Sequence, residues 1–338
     1  MTIYGGKITG SGTGAAANNG TMHMYGGEIS GNSRGVQAGG TKGNGSFNGS
    51  FYLHGGKITD NHGSEGGGVY VMNYFSMDGG EVSYNSATGS GGGIYVFTGT
   101  ASLSGGKVTG NRAGENGGGV CTKAFRDARS YVNLSGSAEI SNNYAGGRGG
   151  GVYLDVYNYL GNGNYCQLTM DGGKITGNTS VGDGGGVYAD AADGNYQFRS
   201  TVNVKGGAQI TGNKKGEADN NLYLPRYSEG VTIRGDLDQT ADIRVTTENK
   251  PSKNSTVTIA KKSGWVSGTV TVPDGVFKVD GADGKIIVDD KGTVTLAPCS
   301  HSWTTYTASG AVITAKCSIC SASGGSVTIN KPAHTTYG

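Results

Sequence analysis

A seven-residue motif that recurs along the chain constrains its fold more than any other feature. The pattern Gly-Gly-x-Ile/Val-Ser/Thr-x-Asn occupies residues 26–32, 55–61, 79–85, 105–111 and 172–178. Copies that are one residue longer occupy 136–143 and 206–213. An incomplete copy occupies residues 5–9 near the start of the chain. A second motif, Gly-Gly-Gly-Val/Ile-Tyr, lies at 66–70, 91–95, 149–153 and 184–188, and at 117–121 with Cys121 in place of the tyrosine. Self-similarity with a period of about 20–50 residues is typical of stacked-repeat proteins.

The residues before each Gly-Gly pair alternate between apolar and polar. Met22 and Met24, for example, flank the polar His23, and Val202 and Val204 flank a polar asparagine. A period of two indicates a strand with one buried face and one solvent-exposed face. A second short strand follows Gly-Gly, a third follows the triple glycine, and glycine supplies the sharp corners between them. The sequence therefore predicts an all-β fold: a right-handed parallel β-helix with three short strands per coil and about eight coils.

Stacked coils place equivalent residues in columns along the molecule. The apolar residues of the second strand that we expect to align are Ile8, Ile29, Ile58, Val82, Val108, Ile140, Ile175 and Ile210. The asparagines that we expect to form a hydrogen-bonded amide ladder are Asn32, Asn61, Asn85, Asn111, Asn143, Asn178 and Asn213. A column that nearly alternates in charge, and that predicts a salt-bridge ladder, contains Lys7, Glu28, Lys57, Glu81, Lys107, Glu139, Lys174 and Gln209. The alternative is that glycine and asparagine are ordinary loop residues.

Four segments follow from these patterns. Residues 1–213 form the coils of the parallel β-helix. Residues 214–298 lose the glycine repeat but keep alternating apolar runs, which predicts a C-terminal β-rich cap in which Trp265 packs. Residues 299–330 form a zinc-ribbon-like module, and residues 331–338 are the start of a truncated following module. The chain begins inside a coil, so we expect it to be a fragment of a longer protein.

The cysteines near the C-terminus have the spacing of a structural zinc site. Cys299-x-His301 and Cys317-x-x-Cys320 supply four nitrogen and sulfur ligands in two close pairs, which zinc binds tetrahedrally. A module of this size has too little core to fold alone, so the metal would stabilise it. The alternative is a disulfide bond among the cysteines. Of the remaining two, Cys166 is expected to be a small buried thiol, and Cys121 has no evident partner.

The connections that follow the third strand lengthen along the chain and gather at one corner. They are rich in aromatic and charged residues, which are typical of recognition surfaces. The candidate ligand-binding residues are Phe125, Arg126, Asp127, Arg129, Asp155, Tyr157, Tyr159, Tyr165, Asp190 and Tyr196. The alternative is that these aromatic side chains fold back over the coils and shield them.

Composition limits the possible partners. The formal net charge is +2 and the sequence has no basic block, which argues against nucleic acid. No run of about 18 apolar residues is present, which argues against membrane insertion. Glycine accounts for 67 of the 338 residues, and the regular spacing of these glycines indicates corners rather than disorder.

Catalysis on a polysaccharide would need a cluster of acidic or basic residues on neighbouring coils. On the outward face of the first strand, Asp78 and Asp171 are three coil steps apart, or roughly 14 Å, which is too far for a carboxylate pair. The residues left as catalytic candidates are Lys123, Arg126, Asp127, Arg129, Asp155 and Asp190. The sequence therefore favours a non-enzymatic protein, with a carbohydrate-active enzyme of the pectate-lyase-like class (polysaccharide lyase or glycoside hydrolase) or a pure spacer as alternatives.

The two motifs resemble the repeats of polymorphic outer-membrane-protein-like adhesins, although Lys or Glu replaces their Ala and Thr-Gly-Asn replaces their Phe-x-x-Asn. The chain also resembles large surface proteins of Gram-positive gut bacteria, in which a β-helix is followed by Cys-x-His and Cys-x-x-Cys. The resemblance implies an extracellular, bacterial cell-surface or secreted stalk or adhesin. Its expected partners are host or neighbouring-cell glycans or surface proteins, and flanking modules of the longer chain.

Overall fold

The computed structural model describes residues 1–41, 47–124, 129–156, 165–191, 199–281, 284–299, 305–309, 312–317 and 323–328. Within these residues the chain is all-β, without a helix, and most strands belong to one large sheet that is mostly parallel. This architecture is compatible with a β-helix. The strands of the large sheet fall into three parallel ladders, and we call one passage of the chain through them a coil.

The first ladder contains the strands that precede each Gly-Gly pair. They are Thr2–Ile3, Thr21–Met24, Ser50–Leu53, Tyr74–Met77, Gly99–Leu103, Arg129–Ser141, Tyr165–Thr176, Arg199–Gly206, Val231–Leu237 and Val257–Lys262. The second ladder contains Lys7–Ile8, Glu28–Ser30, Lys57–Thr59, Glu81–Ser83, Lys107–Thr109, the second halves of Arg129–Ser141 and Tyr165–Thr176, Gln209–Thr211, Asp242–Thr247 and Phe277–Val279.

The third ladder includes the strands that follow the five triple glycines. It contains Ala15–Ala17, Val36–Ala38, Val69–Val71, Ile94–Val96, Val120–Lys123, Val152–Asp155, Val187–Ala189 and Leu222–Leu224. A separate short ladder, which the sequence patterns did not predict, contains His62–Gly63, Ser86–Ala87, Arg112–Ala113, Tyr144–Ala145, Thr179–Ser180 and Lys214–Lys215, with Ala218–Asp219 added antiparallel. These strands were missed because two residues are too short to show a period.

The remaining strands are antiparallel. Gly40–Thr41 pairs with Phe47–Asn48, and Lys285–Val288 pairs with Val294–Ala297, which also pairs with the last strand of the first ladder. Thr305–Ser309, Val312–Lys316 and Ser323–Thr328 form a three-stranded sheet of their own.

The predicted column of apolar residues in the second ladder is confirmed. Each member is register-paired with the next, from Ile8 opposite Ile29 through to Ile175 opposite Ile210. The column continues through Ile243 to Phe277, beyond residue 213. These residues belong to one continuous core with the inward residues of the other two ladders. Burying each aliphatic side chain of this kind stabilises the fold by about 1.5–3 kcal/mol.

The predicted asparagine ladder is also confirmed, and every member is buried. At Asn143, Nδ2 donates to Asn178 Oδ1 at 2.9 Å and to the carbonyl oxygen of Val108 at 3.0 Å. The Oδ1 atom of Asn143 accepts from both the backbone N and Nδ2 of Asn111, each at 2.9 Å. The side-chain oxygen of each asparagine therefore accepts the hydrogen bonds that the asparagine of the preceding coil donates. The direction of donation is the same along the whole ladder.

The ladder extends further than the motif predicts. Asn213 Nδ2 donates to Asn221 Oδ1 at 3.0 Å, and Asn221 Nδ2 in turn donates to Asp280 Oδ1 at 2.7 Å. Asp280 Oδ2 accepts from the backbone N of Asn221 at 2.6 Å and from Thr246 Oγ1 at 2.8 Å. A carboxylate only accepts hydrogen bonds. Asp280 therefore ends a chain of amides in which each member donates to the next.

The triple glycine and the asparagine ladder depend on each other. A Cβ atom on Gly119, the third glycine of its motif, would lie 2.9 Å from Asn143 Nδ2, 2.8 Å from Ile140 Cγ2 and 2.7 Å from the carbonyl oxygen of Gly151. The equivalent position on Gly151 would lie 3.0 Å from Asn178 Nδ2. The third glycine is thus required because the amide of the next coil occupies the space of its side chain.

The charged column forms three ion pairs among the described residues, so the predicted salt-bridge ladder is interrupted rather than continuous. Lys7 Nζ lies 2.8 Å from Glu28 Oε1. The pairs Lys57–Glu81 and Lys107–Glu139 have N–O distances of 3.7 Å and 3.8 Å. Because these side chains are largely exposed, each pair contributes less than about 1 kcal/mol.

Trp265 does not pack in the C-terminal segment, so that prediction was wrong. Its side chain is 94% exposed. It lies in a turn directly after Val257–Lys262, closed by a hydrogen bond of 3.1 Å from the backbone N of Val266 to the carbonyl oxygen of Ser263. The turn lies beyond the last ladder residue, where the alternation that points side chains into the core has ended.

Candidate functional site

The predicted ligand-binding residues lie where the third ladder ends and the first ladder begins, which we call the loop corner. Lys123 is opposite Asp155 in the third ladder, and Asp190 directly follows Ala189, which pairs with Leu154. Arg129 is opposite Tyr165 at the start of the first ladder. The fold therefore gathers these four predicted residues, Arg129, Asp155, Tyr165 and Asp190, at one corner. Phe125, Arg126, Asp127, Tyr157, Tyr159 and Tyr196 lie outside the described residues.

Asp155 is held in place by contacts with neighbouring coils. Lys123 Nζ lies 3.9 Å from its Oδ2 atom, and the two side chains are only partly exposed. The carbonyl oxygen of Asp155 accepts a hydrogen bond of 3.0 Å from the Cys166 thiol. Cys166 and Cys121 are both buried, as expected for Cys166, and burial raises the pKa of both thiols.

Asp190 is a second carboxylate at this corner, and it is partly buried. Burial raises the pKa of its carboxyl group, against the opposing effects of a hydrogen bond of 3.0 Å from the backbone N of Ala191, the Arg148 charge and a hydrogen bond of 3.4 Å from the Tyr153 hydroxyl. Asp155 and Asp190 occupy adjacent rungs, about 4.8 Å apart along the ladder. The loop corner thus holds two carboxyl groups in different environments.

A stack of tyrosines lies beside the loop corner, on the outward side of the third ladder. Tyr95, Tyr153 and Tyr188 are buried although they point away from the core, and Cys121 takes the place of a ring between Tyr95 and Tyr153. Tyr153 and Tyr188 stack with ring centroids 5.5 Å apart. Burial raises the pKa of Tyr188 to about 12. Buried outward rings form a second, smaller core against which the connections can pack.

Cations cover part of this tyrosine stack. The guanidinium of Arg34 lies 4.4 Å from the ring centroid of Tyr70, and that of Arg148 lies 4.8 Å from the ring centroid of Tyr188. Phe97, from the connection after the third ladder, also packs against the stack. At this coil the aromatic residue of the connection shields the ladder, as the alternative interpretation of these residues predicts.

A second aromatic cluster lies on the outward face of the first ladder near the N-terminus. Tyr25 stacks on His54 with ring centroids 4.5 Å apart, and His23 stacks on Tyr52 at 4.7 Å. His23 Nδ1 lies 3.1 Å from His54 Nε2, and His54 Nδ1 lies 2.9 Å from Asp78 Oδ2. Outward positions of the first strand can be identified from the alternation, but nothing in the sequence shows that these rings stack.

Two of the four predicted zinc ligands lie close together. The sulfur atoms of Cys299 and Cys317 are 3.6 Å apart, whereas a disulfide bond is about 2.05 Å long. Two thiolates bound to one tetrahedral zinc ion at about 2.3 Å are separated by about 3.8 Å. The observed separation therefore fits zinc ligands. His301 and Cys320 lie outside the described residues, and the described residues alone contain no group of three or more possible metal ligands.

Among the described residues, three of the open grooves involve the C-terminal part. One of about 310 Å³ is lined by residues from the first ladder together with Trp265, and one of about 340 Å³ is lined around Leu224 and Lys250. The third, of about 490 Å³, lies around Phe277 and Lys278. The sequence patterns did not predict these grooves, and the groove with Trp265 joins segments from Tyr165 to Trp265 that are far apart in the chain. Trp265 is the one conspicuous sequence signal.

The described residues contain no helix long and apolar enough to cross a membrane. No family model matches the sequence, and comparisons with curated proteins and with solved structures found no significant similarity.

Proposed function

We propose that this chain is a non-enzymatic segment of a bacterial cell-surface or secreted stalk or adhesin, built as a right-handed parallel β-helix of about eight coils with a β-rich cap. It would bind host or neighbouring-cell glycans or surface proteins through the loop corner. The observation that carries the proposal is the unbroken amide ladder from Asn32 to Asp280. A ladder of this length makes a rigid column, on which connections at one corner can vary without disturbing the core.

The composition of the loop corner supports binding. Arg129 is exposed, Asp155 and Asp190 are partly exposed, and the Tyr165 ring lies edge-on to the Tyr131 ring with centroids 6.2 Å apart. Aromatic rings beside charged groups are typical of contact surfaces for sugars and proteins. The binding would take place outside the cell.

The proposal is tested by binding of the purified chain to a glycan array and to host epithelial cells. We expect Arg129→Ala and Tyr165→Ala to weaken binding, because both side chains lie at the start of the first ladder on the loop side. The matched control is Arg226→Ala, an exposed arginine in the C-terminal part. Equal binding by all three variants would refute recognition through the loop corner, and a parent chain that binds neither glycans nor cells would indicate a spacer.

The specific observation that favours a second function is the pair of carboxyl groups on adjacent rungs. Burial raises the pKa of Asp190, which is the direction that a general acid requires, and Asp155 lies beside Lys123 with Oδ2 3.9 Å from Nζ. A carbohydrate-active enzyme of the pectate-lyase-like class would release reducing ends or unsaturated products from a polysaccharide. Turnover that is lost in both Asp155→Asn and Asp190→Asn would establish this function in place of the first.

We also propose that Cys299, His301, Cys317 and Cys320 hold a structural zinc ion in the module formed by residues 299–330. The support is the sulfur separation of 3.6 Å between Cys299 and Cys317. A closed set of four ligands leaves no position for a substrate, so the metal would stabilise the fold and take no part in catalysis. Elemental analysis should find one zinc per chain that is lost in Cys317→Ser. A metal-free chain with a Cys317–Cys320 disulfide bond would contradict it.

A further inference from the structure

The groove that contains Trp265 lies on the outward face of the first ladder, at its C-terminal end. Asn203 is opposite Thr232, and Thr232 is opposite Lys261, so these side chains follow one another along the sheet. These three residues lie on successive strands of the first ladder, and such strands are about 4.8 Å apart. The floor of the groove is therefore a regular row of amide, hydroxyl and ammonium groups.

Aromatic rings lie at both ends of this groove. Tyr165 enters from the seventh strand of the first ladder, and Trp265 from the turn that follows the last strand. The Tyr165 hydroxyl lies 2.6 Å from Thr201 Oγ1 and 2.7 Å from Gln167 Oε1, which fixes the ring in position. Trp265 is 94% exposed, so the face of its indole ring is accessible to a ligand.

The groove has an excess of positive charge. Arg234, Lys261 and Lys262 line it, and no carboxylate lines it among the described residues. Lys261 has a partner at its edge, with Nζ 3.6 Å from Glu229 Oε2, and Lys262 Nζ donates to the carbonyl oxygen of Gly268. Arg234 is exposed and presents a planar fork that matches a carboxylate or sulfate group.

We propose that this groove, which we call the Trp265 groove, binds an acidic oligosaccharide. Apolar faces of the sugar rings would stack on Trp265, their hydroxyl groups would bond to Thr232, and their carboxylate or sulfate groups would pair with Arg234. Of the three described grooves, this one combines exposed aromatic, neutral polar and cationic side chains. The groove shares Tyr165 with the loop corner, but Arg234 and Trp265 lie outside that corner, so variants of these two residues test the groove separately.

Titration calorimetry at low salt tests the proposal, with oligogalacturonate, a heparin fragment, a neutral cello-oligosaccharide and oligothymidylate as the probes. We expect one of the two acidic glycans to bind, and the tighter of the two identifies the anion. Arg234→Ala and Trp265→Ala should each weaken binding by about tenfold or more. Raising the salt concentration should weaken it further.

The matched control is Tyr227→Ala, because Tyr227 is 56% exposed but does not line the groove. The thermal midpoints of the three variants should stay close to that of the parent chain, since Trp265 and Arg234 bury little surface. Equal binding by parent and Trp265→Ala, tighter binding of the neutral glycan, or tighter binding of oligothymidylate would each overturn the proposal. Failure at the loop corner with success here would separate the two sites.

Discussion

The coils of residues 1–213 and the segment of residues 214–298 share the same parallel ladders but turn their corners differently. In the first region a glycine before the third-ladder strand, which is the last of a triple glycine in five coils, packs against a buried asparagine that donates to the next coil. In the second the glycine motif is absent, yet Val231–Leu237 and Val257–Lys262 still extend the first ladder in parallel. Alternation of apolar residues is therefore sufficient to build a ladder, whereas the motif determines the corner.

The buried hydrogen-bonded side chains also differ between the two regions. Between Asn32 and Asn213 each amide is satisfied by an identical amide. At the junction with the second region, Asn221 and then Asp280 take over. If the corner motif stabilises the first region, substitutions in the asparagine ladder should lower the free energy of unfolding far more than similar substitutions elsewhere.

The largest effect is expected for Asn143→Ala in the middle of the ladder. The substitution leaves the backbone N and Nδ2 of Asn111 buried without their acceptor. We expect the free energy of unfolding to fall by about 3–5 kcal/mol, measured by denaturant titration. Asn133→Ala is the matched control, because Asn133 is only partly buried and makes one long hydrogen bond of 3.4 Å. Similar losses for the two variants would contradict the role of the ladder.

A smaller loss is expected for Gly119→Ala, which places a methyl group against the ladder. The new Cβ would lie 2.7 Å from a backbone oxygen, so the coils must separate, at a cost of about 1–3 kcal/mol. Gly235→Ala, in the second region, meets only the Lys205 side chain at 3.5 Å and should change stability by less than about 0.5 kcal/mol. Thermal denaturation of both variants compares the two regions directly, and equal midpoints would refute the difference between them.

Removing the carboxylate that ends the ladder tests the junction between the regions. Asp280→Ala takes away the acceptor for Asn221 and Thr246, and we expect a loss of about 2 kcal/mol. Asp280→Asn keeps one acceptor oxygen, so it should lose less stability than Asp280→Ala. Hydrogen exchange should show faster exchange at the backbone N–H of Asn221 in the alanine variant. Unchanged exchange there would contradict the assignment of Asp280 as the end of the ladder.

The smallest effect is expected at the loop corner, where Asp190 is held with a raised pKa. A raised folded-state pKa means that the folded chain binds the proton more tightly than the unfolded chain. Stability therefore falls as the pH rises from the unfolded pKa, about 3.9, through the folded value. Asp190→Asn should be more stable than the parent at pH 7, and this advantage should shrink below pH 4. The exposed Asp274→Asn is the control, and an Asp190→Asn variant less stable at pH 7 would contradict the sign.

The ladders and their register follow from the sequence because the motif repeats with fixed internal spacing. Gly79 to Asn85 and Gly105 to Asn111 have identical spacing, so their coils align residue by residue. The short ladder that includes Ser86–Ala87 does not follow, because it is defined by hydrogen bonds to the next coil and not by alternation. The role of Asp280 cannot be predicted from the sequence either, because Asp280 is 59 residues away from its partner Asn221.

The loop corner could be located from the sequence, but its chemistry could not. The common corner places Asp155 and Asp190 near each other, as predicted from the fact that the connections all leave the third strand at the same corner. The raised pKa of Asp190 depends on its burial beside Tyr153, which only the packing of the side chains determines. Trp265 was misassigned for a similar reason: an isolated tryptophan gives no period that distinguishes a core position from a turn.

The hydrogen bonds between coils run parallel to the long axis of the column, and this has a consequence for a molecule held at both ends. Tension along the axis would peel off one winding at a time instead of shearing many bonds at once. The winding from Ile58 to Val82 contains 24 residues. Stretched out, these residues span about 80 Å, in place of about 4.8 Å of column height. Each detached turn would therefore lengthen the tether greatly under a modest load, and re-winding would shorten it again.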